Sequence, residues 1–185
     1  MVENDMTAQN LRSAYAGESM AYQRYKVWGQ KADEEGFENV ALLFDAIAYA
    51  EEVHAGNHFA AHENVEGGFL VAGEGEFGLG TTSENLVGAI EGEEGEVEQM
   101  YPTYSIIAKE QGESDAVRSF HYALEAEQIH AKLFKEAKAN VDNDEDIELE
   151  YVNICEVCGH TVVDGLPEKC PVCGEPSSVF RKFTK

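Results

Sequence analysis

Basic residues are scarce in this 185-residue chain: 13 Lys and Arg stand against 36 Asp and Glu, for a formal charge of −23. A chain so negative repels phosphate backbones and anionic headgroups, which argues against nucleic acid and acidic membrane surfaces as partners. Long apolar runs are missing too, since no stretch approaches 18 apolar residues, and no membrane span is expected. The amino end, Met1-Val2-Glu3-Asn4-Asp5, is acidic and has no apolar leader core, so the cytoplasm is the expected location. Cysteine is absent until residue 155. All four cysteines fall in the last 31 residues as two Cys-x-x-Cys pairs, which in a reducing compartment bind metal more often than they form disulfides.

What is present is helical periodicity in four long segments. The first runs roughly over residues 7–33 and should turn Leu11, Ala14, Glu18, Ala21, Tyr25 and Trp28 inward. Gly36 is a natural stop, and Phe37 begins a second helix with Val40, Phe44, Ile47, Glu51, His54 and His58 on one stripe. Residues 65–83 break the pattern with Gly67, Gly68, Gly73, Gly75, Gly78 and Gly80, too many glycines for a helix to carry. Thr81 and Glu84 then fit a capping box. The third helix presents Leu86, Ala89, Glu93, Glu96, Met100 and Tyr104; Gly112 ends it and Ser114 can cap the fourth, which presents Val117, Phe120, Ala123, Glu127, His130 and Phe134.

Two short links and one long middle link imply antiparallel neighbours around a crossover that lets the second and third helices run parallel, as in ferritin-like bundles. The expected organisation is a bundle over residues 1–141, an acidic linker at 142–150 whose like charges disfavour compaction, and a small metal-stapled module over 151–185.

Every inward stripe carries groups that resist burial: Glu18 on the first, Glu51-x-x-His54 on the second, Glu93 and Glu96 on the third, Glu127-x-x-His130 on the fourth. Buried carboxylates shift their pKa, pair, or bind metal, and there are too few cations here to pair them. Glu and His at i and i+3 share a helix face and reach one ion together. Two such helices plus a Glu from each of the others make a cage for two metals, and carboxylate with limited imidazole suits iron or manganese. On the third helix, phase with Ala89 and Met100 selects Glu93 and Glu96 from a crowd of glutamates. The paired Glu-x-x-His elements suggest internal two-fold pseudosymmetry. His58 and His62 continue the second stripe and read as bystanders; His121 and His160 lack supporting spacing.

Cys155-x-x-Cys158-Gly159 and Cys170-x-x-Cys173-Gly174 are separated by 11 residues. Four thiolates from two tight turns make a tetrahedral sulfur site for zinc or a single iron, and the glycines permit turns that aim N–H groups at sulfur. The cysteines alone leave zinc and iron equal.

Several segments together resemble the rubrerythrin family: Ala16-Gly17-Glu18-Ser19-Met20, Ala50-Glu51-Glu52-Val53-His54-Ala55, Asn85-Leu86, Glu91-Gly92-Glu93, Met100-Tyr101-Pro102, Glu125-Ala126-Glu127-Gln128-Ile129-His130-Ala131, and a rubredoxin-like tail from Cys155. The resemblance covers nearly the whole chain. It implies a mainly α, ferritin-like four-helix bundle with a long middle crossover and a small C-terminal rubredoxin-like module. It further implies Glu18, Glu51, His54, Glu93, Glu96, Glu127 and His130 as ligands of two irons, with Glu51 and Glu127 bridging. Tyr25 and Tyr101 are implied as hydrogen-bond donors to ligand carboxylates, and one iron as exchanging Glu96 for His54 on reduction. The residues 67–80 are long and glycine-rich for that family.

The implied function is a peroxidase that reduces hydrogen peroxide to water, acting through Glu51, Glu96, His54, Tyr25 and Tyr101. A third iron, on Cys155, Cys158, Cys170 and Cys173, would relay electrons from an external donor such as a rubredoxin or its reductase. This shared logic favours iron over zinc in the tail, although zinc can enter recombinant material. The alternatives are ferritin-type iron handling, which needs no electron-delivery module, and a zinc-held protein without catalysis. A head-to-tail homodimer is expected, because helix length alone leaves one chain's two metal sites well apart, so that electrons would cross between chains.

Overall fold

A computed structural model describes residues 2–62 and 66–185. Val65, where the helix-breaking stretch was expected to begin, lies outside the described residues, as does Met1. Helices α1 (Asp5–Glu34) and α2 (Glu38–Ala60) form one antiparallel pair; α3 (Thr82–Gly95), α4 (Tyr101–Glu110) and α5 (Ser114–Val141) form the other half of the bundle. The inward stripes of the first two helices are buried as read, from Leu11 to Trp28 and from Val40 to His58.

The third helix departs from its expected phase. A π-turn over Glu96–Met100 separates α3 from α4. The extra residue rotates the inward face, so Tyr101, Ser105 and Ala108 are buried in α4, where regular periodicity pointed to Met100 and Tyr104. Glu96 is thereby left half-buried at the bundle's edge.

Acidic residues close several helix starts, which is one use of the large negative charge. Thr81 and Glu84 make the expected reciprocal capping box on α3. Glu35 accepts from Thr82 N and Oγ1 at 2.8 and 2.7 Å. Glu113, preceding Ser114, reaches back to accept from Glu3 N and Asn4 N, both at 2.8 Å. Ser114 is the first residue of α5 and makes no side-chain cap.

The middle connection lies along α1. Arg12 stacks on Phe69, Ser13 Oγ donates to Ala72 O at 2.9 Å, and Trp28 Nε1 donates to Gly78 O at 2.9 Å. Residues 69–78 thus climb beside 12–28, so α3 starts at the end where α2 started and the two run parallel. Gly73 approaches Gly17 N and Ser13 O so closely that a β-carbon would stand 3.3 Å from both, which gives this glycine a packing reason.

The tail forms a three-stranded antiparallel sheet, ordered β2 (Thr161–Val163), β1 (Val152–Cys155), β3 (Phe180–Phe183). The acidic linker does not hang free. Asp146 accepts from Asn39 N and Val40 N at 2.8 and 3.2 Å and so caps α2, while Asn39 Nδ2 donates to Ile147 O at 2.6 Å. Ile147 and Leu149 pack on the bundle core. Anchored there, the chain folds back along α2: Tyr49 stacks on Phe183, and Asn57 Nδ2 donates to Val157 O at 2.9 Å. The tail therefore sits on its own chain's bundle, contrary to the separation expected from helix length. That estimate took the linker as extending away from α5, whereas a carboxylate at a helix N-terminus and two apolar side chains turn it back.

Candidate metal centre

Two apolar clusters fill the bundle. One holds Tyr25, Trp28, Phe44, Leu86 and Phe134; the other holds Leu11, Tyr101, Ala116 and Phe120. Each fully buried large side chain contributes about 1.5–3 kcal/mol. Between these clusters lies a polar layer of Glu18, Glu51, His54, Glu93, Glu127 and His130, every one of them buried.

The layer divides into two groups of four. Ligand-capable atoms of Glu18, Glu51, His54 and Glu127 all lie within 4.8 Å of one another, as do those of Glu51, Glu93, Glu127 and His130. Glu51 and Glu127 belong to both. His54 Nδ1 stands 2.9 Å from Glu51 and 2.8 Å from Glu127; His130 Nδ1 stands 2.6 Å from Glu127 and 3.2 Å from Glu51. Tyr25 donates to Glu93 at 2.6 Å, and Tyr101 donates to Glu18. Each half thus repeats the pattern of one histidine, one terminal carboxylate and one tyrosine around a shared pair, as the two Glu-x-x-His elements suggested.

Electrostatics show a site built for added positive charge. Burial raises Glu18 and Glu93 well above the ordinary carboxylate range, and neighbouring Glu127 and Glu51 raise them further. Burial would lower both histidines, but Glu127 and Glu51 outweigh it and drive them toward the protonated form. Burial would likewise raise Glu127, but the two histidines hold it well below its usual range. Glu18 Oε2 is buried without a hydrogen-bond partner, and Glu93 Oε2 has nothing nearer than His130 Nδ1 at 3.7 Å, a costly state that metal ligation removes. The donor set therefore fits two cations, and hard oxygen with one imidazole each suits iron.

Glu96 does not join either group. Its carboxyl is raised by burial and then by Glu18. From the π-turn it lines a cleft of about 580 Å³ with Gly17, Gly92, Gly95, Gly73 and Glu76, so the middle connection forms one wall of that cleft. His54 occupies the first group while Glu96 stands beside it. His58, read from sequence as a bystander, is fully buried and bonded at both nitrogens: Nδ1 to Ser119 Oγ at 2.7 Å and Nε2 to Tyr101 Oη at 3.0 Å. Burial and then the nearby His54 push it down to about 3. The i+4 step from His54 placed it on the inward face, but its partners come from distant segments and gave no signal in sequence. Among the remaining histidines, His121 is surface-exposed near Glu125.

The four cysteines converge, with Cys155 to Cys173 at 3.6 Å and Cys158 to Cys170 at 3.4 Å between sulfurs. A tetrahedral ion with bonds of about 2.3 Å holds sulfurs about 3.8 Å apart, so the set fits one. A hydrogen bond from Cys158 holds Cys155 down at about 5, and the same bond pushes Cys158 far up. The module also touches the bundle site. His130 Nε2 meets Thr161 Oγ1 at 2.8 Å, and Thr161 donates onward to Gly159 O at 3.2 Å. His130 Nε2–H is then the donor, which leaves Nδ1 free to face the carboxylates. Gly159, at φ +77°, lies directly against His54 Nε2, where no β-carbon fits.

Comparison with known proteins agrees with this arrangement. Residues 9–138 match the family model described as rubrerythrin, and residues 154–181 match that described as the rubredoxin-like domain of rubrerythrin. Rubrerythrin-2 of Clostridium acetobutylicum is 49% identical, covering 98% of this chain and 99% of its own. Nigerythrin of Nitratidesulfovibrio vulgaris is 33% identical, covering 96% and 86%. A structure of nigerythrin described as fully reduced and all ferrous superposes with a TM-score of 0.85 at 31% identity, covering 98% of this chain and 88% of that one. A Mycobacterium tuberculosis bacterioferritin, at 16% identity and TM-score 0.67, shares the ferritin-like fold alone. With a carboxylate–histidine site for two irons and a four-cysteine iron site on one chain, this protein belongs to the rubrerythrin family.

Proposed function

We propose that the protein is a peroxidase that reduces hydrogen peroxide to two waters in defence against oxidative stress, drawing electrons through its four-cysteine module. The observation that carries this reading is the seating of that module on both histidines of the bundle site, through Gly159 at His54 and Thr161 at His130. Ferritin-type iron handling would give such a contact no task.

Glu18, Glu51, His54, Glu93, Glu127 and His130 would hold the bundle pair, and Cys155, Cys158, Cys170 and Cys173 the single ion. Ferrous irons held there would supply the two electrons for O–O cleavage and the Lewis acidity to position the peroxide. Tyr25 and Tyr101 fix the carboxylates of Glu93 and Glu18 by donating to them. Hydrophobic clusters on both sides exclude bulk water, and the cleft beside Glu96 gives a small substrate its approach. The family's exchange of Glu96 for His54 fits the geometry: His54 lies in the first group and Glu96 beside it, the arrangement expected for reduced iron, which accepts imidazole. We propose the homodimer implied by the family as the assembly, with each electron relay closed within its own chain. The donor would be a rubredoxin-type protein or its reductase.

The test is a stopped-flow reaction of the anaerobically reduced, iron-loaded protein with peroxide. One peroxide consumed per bundle, with oxidation of the bundle irons, is expected. Indifference to peroxide together with rapid ferrous oxidation by oxygen and mineral growth would assign the ferritin-type alternative.

A further inference from the structure

Reducing one peroxide to two waters consumes two electrons and two protons. The electrons have a route through the module, whereas the layer of Glu18, Glu51, Glu93 and Glu127 is flanked on both sides by apolar clusters that carry no protons. We propose that Ser119 and His58 complete a proton relay from a surface cleft through Tyr101 to Glu18, an inference that rests on the peroxidase reading.

With Glu18 ionised as a ligand, the hydrogen bonds of this chain run in one direction. Tyr101 donates its hydroxyl to Glu18, so its oxygen must accept from His58 Nε2–H, 3.0 Å away. A neutral imidazole with Nε2 protonated accepts at Nδ1, so Ser119, at 2.7 Å, must donate there. The chain is open at both ends. Glu18 Oε2 is buried, without a partner, in the group with Glu51, His54 and Glu127. Ser119 is 5% exposed and lines a cleft of about 290 Å³ with Asn57, Arg118 and Tyr122, beside the Arg118–Asp115 ion pair at 2.8 Å.

The pseudosymmetric half of the bundle shows what the same place looks like without a relay. Four residues after His54 stands His58; four residues after His130 stands Phe134. Tyr25, the counterpart of Tyr101, donates to Glu93 and is enclosed by Trp28, Phe44 and Phe134, with ring centroids 5.9, 5.7 and 5.2 Å away. An aromatic ring therefore suffices for packing at this level of the bundle. An imidazole bonded at both nitrogens adds a polar path on one side.

In each passage a proton from the cleft enters at Ser119 Oγ as the serine proton moves to His58 Nδ1. The Nε2 proton moves to Tyr101 Oη, and the tyrosine proton moves to Glu18 and on to a peroxide oxygen. The hydroxyls and the imidazole tautomer then reset. Two passages balance one peroxide.

The experiment follows single-turnover oxidation of reduced, iron-loaded wild type, Ser119→Ala and His58→Leu by peroxide, in H2O and D2O, with rates normalised to bundle iron. Both variants are expected to react about 10²–10⁴-fold more slowly, the range of a lost proton-transfer group, with a larger solvent isotope effect and an unchanged visible spectrum. Ser119→Ala removes one oxygen atom and decides the matter alone if His58→Leu disturbs folding. A wild-type rate and isotope effect in iron-loaded Ser119→Ala would overturn the relay, and so would a slower reaction with an unchanged isotope effect, which marks a structural role. Wild type that ignores peroxide would instead refute the peroxidase reading, and the relay with it.

Discussion

Gly159 lies against the Nε2 edge of His54 with no space between them for a β-carbon. Because Gly159 directly follows Cys158, the four-cysteine site and the bundle site are joined by a single residue in contact across two modules. Gly159 also takes φ +77°, so both its backbone and its surroundings require glycine.

Gly159→Ala is therefore expected to lift the module from His54 while leaving both sets of ligands intact. Left-handed backbone at a non-glycine residue costs about 1–2 kcal/mol, before any clash. Iron content and the red thiolate absorption should persist, pre-reduced protein should consume peroxide once at the wild-type rate, and steady-state turnover with a donor should fall severalfold. Unchanged turnover would separate the contact from the relay.

Cys158→Ser should retain the bundle pair and lose sustained turnover, whereas Glu127→Ala should lose the bundle pair and stay red. Because each tail sits on its own bundle, mixed dimers of the two variants are expected to remain inactive. Activity recovered in confirmed heterodimers would place the electron path between chains.

The metal-free protein should lose stability as pH rises. Glu18, Glu93, His54 and His130 all have raised folded-state values, so the folded chain holds protons that the unfolded chain releases, first from carboxylates above about 4.5 and then from histidines above about 6.5. Stability from such groups is present below the unfolded value and lost as pH climbs toward the folded one. Glu127, held low, acts in the opposite sense, as do His58, pushed down to about 3 by burial, and His62 and His160, also lowered by burial; the contribution of Glu127 is complete near neutrality and that of these histidines above about 6.5. The melting temperature of metal-free protein should fall between about pH 6.5 and 8, and iron-loaded protein should show a flatter profile. A rising profile for the metal-free form would contradict the charge balance described.

Asp146→Ala removes the acceptor for Asn39 N and Val40 N. Loss of such a cap costs about 0.5–2 kcal/mol. The expected result is a lower midpoint in chemical unfolding together with faster proteolysis within residues 142–150. A variant as stable and as resistant as the parent would show that Ile147 and Leu149 hold the linker unaided.

Much of the site was legible in the sequence, because burial on a helix is periodic and a carboxylate or imidazole in an apolar stripe stands out. Glu18, Glu51, His54, Glu93, Glu127 and His130 were found that way, and the two Cys-x-x-Cys turns announced their sulfur site by spacing alone. Three features depended on the tertiary structure. The π-turn at Glu96–Met100 moved Tyr101 inward and Glu96 outward, since one inserted residue shifts helical phase without a compositional mark. The pairing of His58 with Ser119 joins helices far apart in sequence. The return of the tail to its own bundle was hidden as well: acidic residues 142–150 read as a repelled linker until the N-terminus of α2 supplied donors for Asp146. Local periodicity determined which groups would be buried; which of them meet, and from which direction, was decided by long-range contacts.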